Sequence, residues 1–377
     1  MNKDFTEIKY SLALADDSDA KVIVKNLEEV VLAAATNEYG KRSMTKNFSM
    51  DGATYTEKED KVRKALLAFA ASKSGITKLE DKRDIIMAFD NPQFVSVLNS
   101  IVSETLTGVV INANGSQLLS MCNVSDVEVG DSKTFTIEPK GLPIAQRGSY
   151  MNNVAFLDGY SASSLTVVPK LYTAGSSIDY IRILANGFDW GKELARVAMG
   201  MLYAQYKLVA GLLFDTTNVS STPLYQATFD SSKYTLMIQY LQALNKTGVK
   251  AYGTLPAFQK QGTTATTNYG FVLQDTMIKD GYLGSAYGVD NVLIDQATDL
   301  SAPFVDANLS SLLLVPNNKI LLVSDAGDKP VKLVRENFVR TYSKPAQDGA
   351  LYRQEYSYTM SFDAAIITSG HYAIQAV

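Results

Sequence analysis

From Val127 the hydrophobic period of the chain switches to two, and the segment that follows cannot bury itself. Thr134-Phe135-Thr136-Ile137-Glu138 alternates polar and apolar, as a half-exposed strand does. Gly130-Asp131 opens this strand and Gly141-Leu142-Pro143 closes it. A polar stretch with Gly148, Asn152, Asn153, Asp158 and Gly159 leads to a second strand, Ser164-Leu165-Thr166-Val167-Val168-Pro169. The pattern predicts a long β-hairpin whose tip has almost no core-forming content. A lone two-stranded hairpin is at best marginally stable in water. Whatever the rest of the chain folds into must therefore supply, or be supplied with, a partner surface.

The segment before the hairpin has a different character. Charged residues are about twice as dense in residues 1–104 as in the rest of the chain, and their patterning is helical. One helix is expected from about Asp19 to Tyr39, with Val22, Leu27, Val30, Val31 and Ala34 on one stripe and Gly40 as its stop. A second opens on Thr56-Glu57-Lys58-Glu59, a capping-box pattern, carries Leu66, Leu67, Phe69 and Ala70 on its apolar face, and ends at Gly75. A third region, Lys78 to Thr107, is split at Asn91-Pro92, a good N-cap followed by a good first helical residue. Its apolar positions are Phe94, Val95, Leu98, Ile101 and Val102. Polar loops separate these helices, so the segment reads as an arm that packs on neighbours rather than as a compact domain.

After the hairpin comes the longest predicted helix, from about Asn186 to Phe214, roughly 40 Å of rod at 1.5 Å per residue. Asp189, Lys192, Glu193, Arg196, Gly200, Tyr203 and Lys207 make one polar stripe; Leu194, Val197, Ala198, Met201, Leu208 and Leu212 take the other side. Gly191, Gly200 and Gly211 each cost about 1 kcal/mol against Ala unless something packs closely there. A mixed region follows. Tyr234 to Asn245 reads as a helix with Leu236, Ile238, Leu241 and Leu244 inside, and Gln261 to Asn268 as a flexible stretch. Val292–Ile294, Leu312–Val315 and Ile320–Val323 are strand candidates. Two long alternating strands close the chain, Val331–Arg340 and Tyr356–Ile367, with a turn at Pro345 to Ala350.

Most catalytic constellations are excluded by counting. The 377 residues hold one His, His371, and one Cys, Cys122. That excludes HExxH helices, CxxC zinc sites and disulfide frameworks. Phosphate-binding GxxxxGK[ST], dinucleotide-binding GxGxxG and the GxSxG nucleophile elbow are absent. Asp16-Asp17-Ser18-Asp19 lacks the Gly and Glu of a calcium loop and reads as helix N-terminal charge. His371 reads as structural and Cys122 as a small buried hydrophobe. A net charge of -4 makes a poor nucleic-acid reader. Neither a secretory h-region after Met1 nor 18 consecutive apolar residues is present, so no export signal and no membrane span are expected. No enzyme activity, cofactor or metal is expected.

Taken in order, the elements resemble the major capsid protein of tailed double-stranded DNA bacteriophages, the Hong Kong 97-type fold. Thr134–Ile137 and Leu165–Leu171 look like the arms of that family's extended loop. Ser176–Ile181 looks like the lead into its spine helix, and Phe188–Phe214 like the spine helix itself. The resemblance implies an α+β architecture in five parts: a helical N-terminal arm (1–115), an extended β-hairpin loop (116–175), the spine helix and start of the peripheral domain (176–225), a mixed α/β axial domain (226–328), and a long peripheral-domain β-sheet with a C-terminal return (329–377).

The same resemblance implies a structural subunit. Pentamers and hexamers of this chain would form an icosahedral head around double-stranded DNA bound without sequence specificity. Portal and scaffolding proteins would be partners, a decoration protein a further possibility, and the virion head the destination after assembly in the host cytoplasm. An untrimmed Met1 suggests a separate scaffolding protein. Lys140 and Arg147 on the hairpin and Glu193 and Arg196 on the spine helix are the expected inter-subunit contacts. Some members crosslink neighbours through Lys, Asn and Glu; Lys140, Asn337 and Glu336 are the candidates here, although no crosslink is expected. The alternatives are the shell of a bacterial encapsulating nanocompartment and a β-rich surface or adhesion protein.

Overall fold

The computed structural model describes residues 18–39, 55–76, 82–112, 118–137, 163–179, 189–269, 279–294, 296–298, 313–325, 328–345, 353–367 and 372–377. Four helices come first: α1 (Ser18–Tyr39), α2 (Tyr55–Lys73), α3 (Lys82–Phe89) and α4 (Pro92–Asn112). The break between α3 and α4 is the expected one, with the Asn91 Oδ1 accepting from the Gln93 N–H at 2.9 Å. The capping box at the head of α2 is not formed as expected. Tyr55 and Thr56 are already helical, and the Glu59 carboxylate instead accepts from the Trp190 N–H.

Two long sheets follow, and their strands interleave along the chain. The first joins β1 (Cys122–Val127), β4 (Lys170–Asp179), β10 (Val331–Glu336), β11 (Arg340–Pro345) and β12 (Arg353–Ile366). β1 runs parallel to β10. β12 is the hub: it pairs antiparallel with β10, β11 and, over ten residues, β4. The second sheet runs β5 (Tyr225–Gln226), β13 (Tyr372–Ala376), β9 (Lys319–Ser324), β6 (Val249–Gly253), β8 (Val289–Leu293), β7 (Ser285–Ala286). The expected hairpin is a separate two-stranded sheet, β2 (Lys133–Ile137) against β3 (Ser163–Val167), with Phe135 opposite Leu165.

A long helix, α5 (Trp190–Phe214), crosses both sheets. Its N-cap is Asp189, whose side chain accepts from the Lys192 N–H at 3.0 Å. Leu194, Val197, Ala198 and Met201 pack with α1, α2, α4 and the inner face of β12 (Tyr356, Tyr358, Met360, Phe362) in one core. Further along, Val209, Ala210, Leu213 and Phe214 join a second core between the sheets with Cys122, Leu321, Leu333, Tyr372 and Ile374. A third lies under α6 (Ser231–Asn245) and α7 (Leu255–Tyr269), around Tyr234, Ile238, Leu241 and Phe258. The architecture is α+β, and its elements come in the expected order: helical segment, hairpin, long helix, mixed unit, long sheet.

Several expectations are corrected. The N-terminal helices form a core with their own chain rather than a loose arm. Val22 and Leu236, assigned to buried stripes, are exposed. The stretch Gln261–Asn268 is helical within α7, whose Phe258 and Gln261 are buried against the second sheet. Of the expected strand Leu312–Val315, Leu312 lies outside the described residues and Leu313 makes an isolated bridge to Thr298. The single strand expected over Val331–Arg340 is two, and the C-terminal Tyr372–Ala376 returns to the second sheet, against β9 and β5. Among the described residues two helices, Pro92–Ile111 and Trp190–Phe214, are long and apolar enough to cross a membrane. Both contribute their apolar faces to the cores just described.

Candidate inter-subunit surface

The root of the hairpin is held to the first sheet by backbone and charge. The Gly130 N–H, at a left-handed turn between β1 and β2, donates to the Glu336 carboxylate at 2.9 Å. The Asn337 N–H donates to the Val127 carbonyl at 3.0 Å. The Lys332 ammonium, almost fully buried, pairs with Asp328 and lies 5.8 Å from the centre of the Phe135 ring. Thr134 and Thr166 bond across the two strands at 2.9 Å. Among the described residues of β2 and β3 only Val167 is buried, and Val129 and Val168 beside them are exposed.

Among the described residues, the outer face of the first sheet carries exposed side chains where β12 pairs with β11 and β4. Alternate residues of β12 face the core, and the others face outward with their cross-strand neighbours. One row is Tyr342, Ser357 and Gly175; the next is Lys344, Glu355 and Ser177. The ring of Tyr342, 64% exposed, walls a shallow groove floored by Gly175, Ser177 and Ser357, with the Lys344–Glu355 ion pair (3.3 Å) at its end. Leu171, 69% exposed, extends the face toward the hairpin root. Small side chains here leave the pleated surface accessible to a flat partner. A second exposed apolar pair, Leu236 and Tyr240, sits one turn apart on α6.

The four expected contact residues fare differently. Lys140 and Arg147 lie outside the described residues, as does His371. Glu193 and Arg196 are on the polar stripe of α5, one turn apart, and pair with each other at 2.7 Å. Glu193 also accepts from the Ser176 hydroxyl of β4, so it ties helix to sheet within the chain. Arg196 is 62% exposed. Asn337 is exposed beside Glu336, whose carboxylate is engaged at the hairpin root. Polar stripes are visible in sequence; that Glu193 is engaged by Ser176 is not, because the pairing of β4 with β12 brings Ser176 there from outside the helix.

Reactive chemistry is sparse. Cys122 is buried, and burial pushes its thiol up to about 12, which removes it as a nucleophile near neutral pH. Among the described residues no group of three or more His, Cys, Asp and Glu side chains is placed to hold a metal. Burial likewise raises the Tyr358 hydroxyl, with the Glu193 charge adding to it.

No family model matches the chain, and no curated protein matches it. Solved structures similar to it are mostly phage capsids. They include the capsid structure of the cyanophage P-SCSP1u, 14% identical, covering 68% of this chain and 86% of that one at a TM-score of 0.41. A structure from Mycobacterium phage Che8 is 8% identical and covers 69% of this chain and 90% of its own, TM-score 0.45. A virus-like particle from Pyrococcus furiosus is 10% identical and covers 73% and 97%, TM-score 0.41.

Proposed function

We propose that this chain is the major capsid protein of a tailed double-stranded DNA phage, a structural subunit that assembles into the pentamers and hexamers of an icosahedral head. The observation that carries the reading is the hairpin: a two-stranded sheet in which, among the described residues, only Val167 is buried. Such an element needs a surface outside itself. The same chain presents one, the small-residue outer face of the first sheet around Tyr342. A hairpin from one copy lying on that face of the next is a heterologous contact, which forms a ring of fixed number when its rotation closes. Obligate interfaces of this kind commonly bury more than about 2,000 Å².

In this reading Arg196 is the charged contact on α5, and Lys140 and Arg147 on the hairpin approach the neighbour. Leu236 and Tyr240 are covered where copies crowd together around the ring axis. Portal and scaffolding proteins are the partners, and DNA is enclosed without being read. Assembly takes place in the host cytoplasm, and the virion head is the final location.

Sedimentation velocity on the full-length chain, with negative-stain images of any fast fraction, tests the proposal. Rings or closed particles of megadalton mass are the expected result. A chain that stays at 41.1 kDa at high concentration, with or without a scaffolding protein, would sink it. Particles formed in the producing cell that hold a protein cargo in place of DNA would turn the reading to a nanocompartment shell.

A further inference from the structure

The N-terminus of α5 gathers more negative charge than a helix end needs. Asp189 caps it, accepting from the Lys192 N–H at 3.0 Å and from the Tyr55 hydroxyl of α2 at 2.7 Å. Glu59, one turn along α2 from Tyr55, reaches the same end and accepts from the Trp190 N–H. Two carboxylates therefore share one helix terminus, where a single cap suffices. The Glu59 Oε1 is also buried without a hydrogen-bond partner, a costly arrangement for an ionised carboxylate and a mild one for a protonated acid.

We propose that this contact is a proton-controlled latch between the N-terminal helical layer and the long helix, closed when Glu59 is protonated and loosened when it is ionised. Burial first, and the Asp189 charge second, hold the Glu59 carboxyl above the usual carboxylate range. The other charges acting on it are on α2: Arg63, which favours ionisation and is itself paired with Asp60, and Asp60, which opposes it. The neighbours α1 and α4 bring Glu29, paired with Lys58, and Glu104, which is buried in the core. The helix end itself is fixed, because Trp190 is buried edge-on against Tyr356 of β12, with ring centres 6.4 Å apart. The loosening therefore falls on α2.

The sign follows from linkage. A carboxyl with a raised folded-state pKa binds its proton more tightly docked than undocked. The latch is strongest below the ordinary carboxylate pKa and weakens as pH rises through the raised value. Amide hydrogen exchange of the full-length chain from about pH 4 to about pH 8, corrected for intrinsic exchange, reads this directly. Protection across Tyr55–Lys73 should fall with rising pH, about tenfold for each unit by which Glu59 is raised. Glu59→Gln, which keeps a neutral side chain of the same shape, should hold protection high and flat. Asp189→Asn, which keeps the cap, should reduce the slope without abolishing it. An unchanged slope in Glu59→Gln, or protection that rises with pH in the native chain, overturns the latch. If Glu59→Gln does not fold, the slope in Asp189→Asn decides: an unchanged one overturns the proposal.

Discussion

Three glycines of the long helix look alike in the sequence and differ in the structure. A Cβ at Gly191 would lie 2.5 Å from the Val30 Cγ1 and 2.6 Å from the Tyr55 hydroxyl. Val30 is fully buried and stiff, and the Tyr55 hydroxyl is committed to Asp189, so neither gives way cheaply. Gly200 and Gly211 have open space around them. Gly191→Ala should therefore destabilise the chain by about 1–3 kcal/mol, whereas Gly200→Ala should stabilise the free subunit by up to about 1 kcal/mol. Urea unfolding of the two variants checks both signs. Of these three glycines, the expectation that a helical glycine is kept for close packing holds at Gly191 alone. Val22 and Leu236 misled for a related reason. Periodicity marks an apolar stripe, but the width of stripe that is covered depends on which helix lies opposite, and that is a tertiary fact.

Among elements, the strand expected over Val331–Arg340 shows what pattern alone misses. The chain breaks between β10 and β11 because the Val339 N–H leaves the sheet and donates to the Thr107 hydroxyl of α4 at 2.9 Å. Two residues on, the Thr341 N–H donates to the Ser103 hydroxyl at 2.9 Å. The apolar helix α4 thus uses its few hydroxyls to satisfy the edge of β11, a strand edge that would otherwise be open. Thr107→Val preserves shape and removes the acceptor. It should cost about 1–3 kcal/mol, the penalty of leaving a buried N–H unpaired, and shift the urea midpoint with little change in slope. Elements that satisfy themselves locally were legible: α1, the Asn91-Pro92 break, α5 and both arms of the hairpin. The helix through Gln261–Asn268 was not, because Thr and Asn have weak helical preference and the deciding contacts, Ala257 and Phe258 on the second sheet, lie outside that stretch.

At the scale of the whole molecule, the order of elements was legible and their interleaving was not. β1 and β10 pair in parallel, and β13 crosses to the second sheet, through contacts between segments far apart in the chain. Nothing local announces such partners. The hairpin is the exception, because its need for a partner is visible in its own composition, and this permits a separation of folding from assembly. Ile137 and Ser163 are opposite each other in the β2–β3 register. Replacing residues 138–162 by Asn-Gly, a two-residue turn matched to strand twist, would close the hairpin at its root without disturbing either sheet. The shortened chain keeps the ties of Gly130 to Glu336 and of Lys332 to Phe135. It should melt within a few degrees of the full chain, a shift of less than about 1 kcal/mol, and sediment as a subunit that forms no shells. Shells of normal size from the shortened chain would remove the hairpin from the assembly contact. Loss of the folded subunit would show that the missing segment packs on its own chain, and that the partner surface inferred from the sequence lies within the molecule.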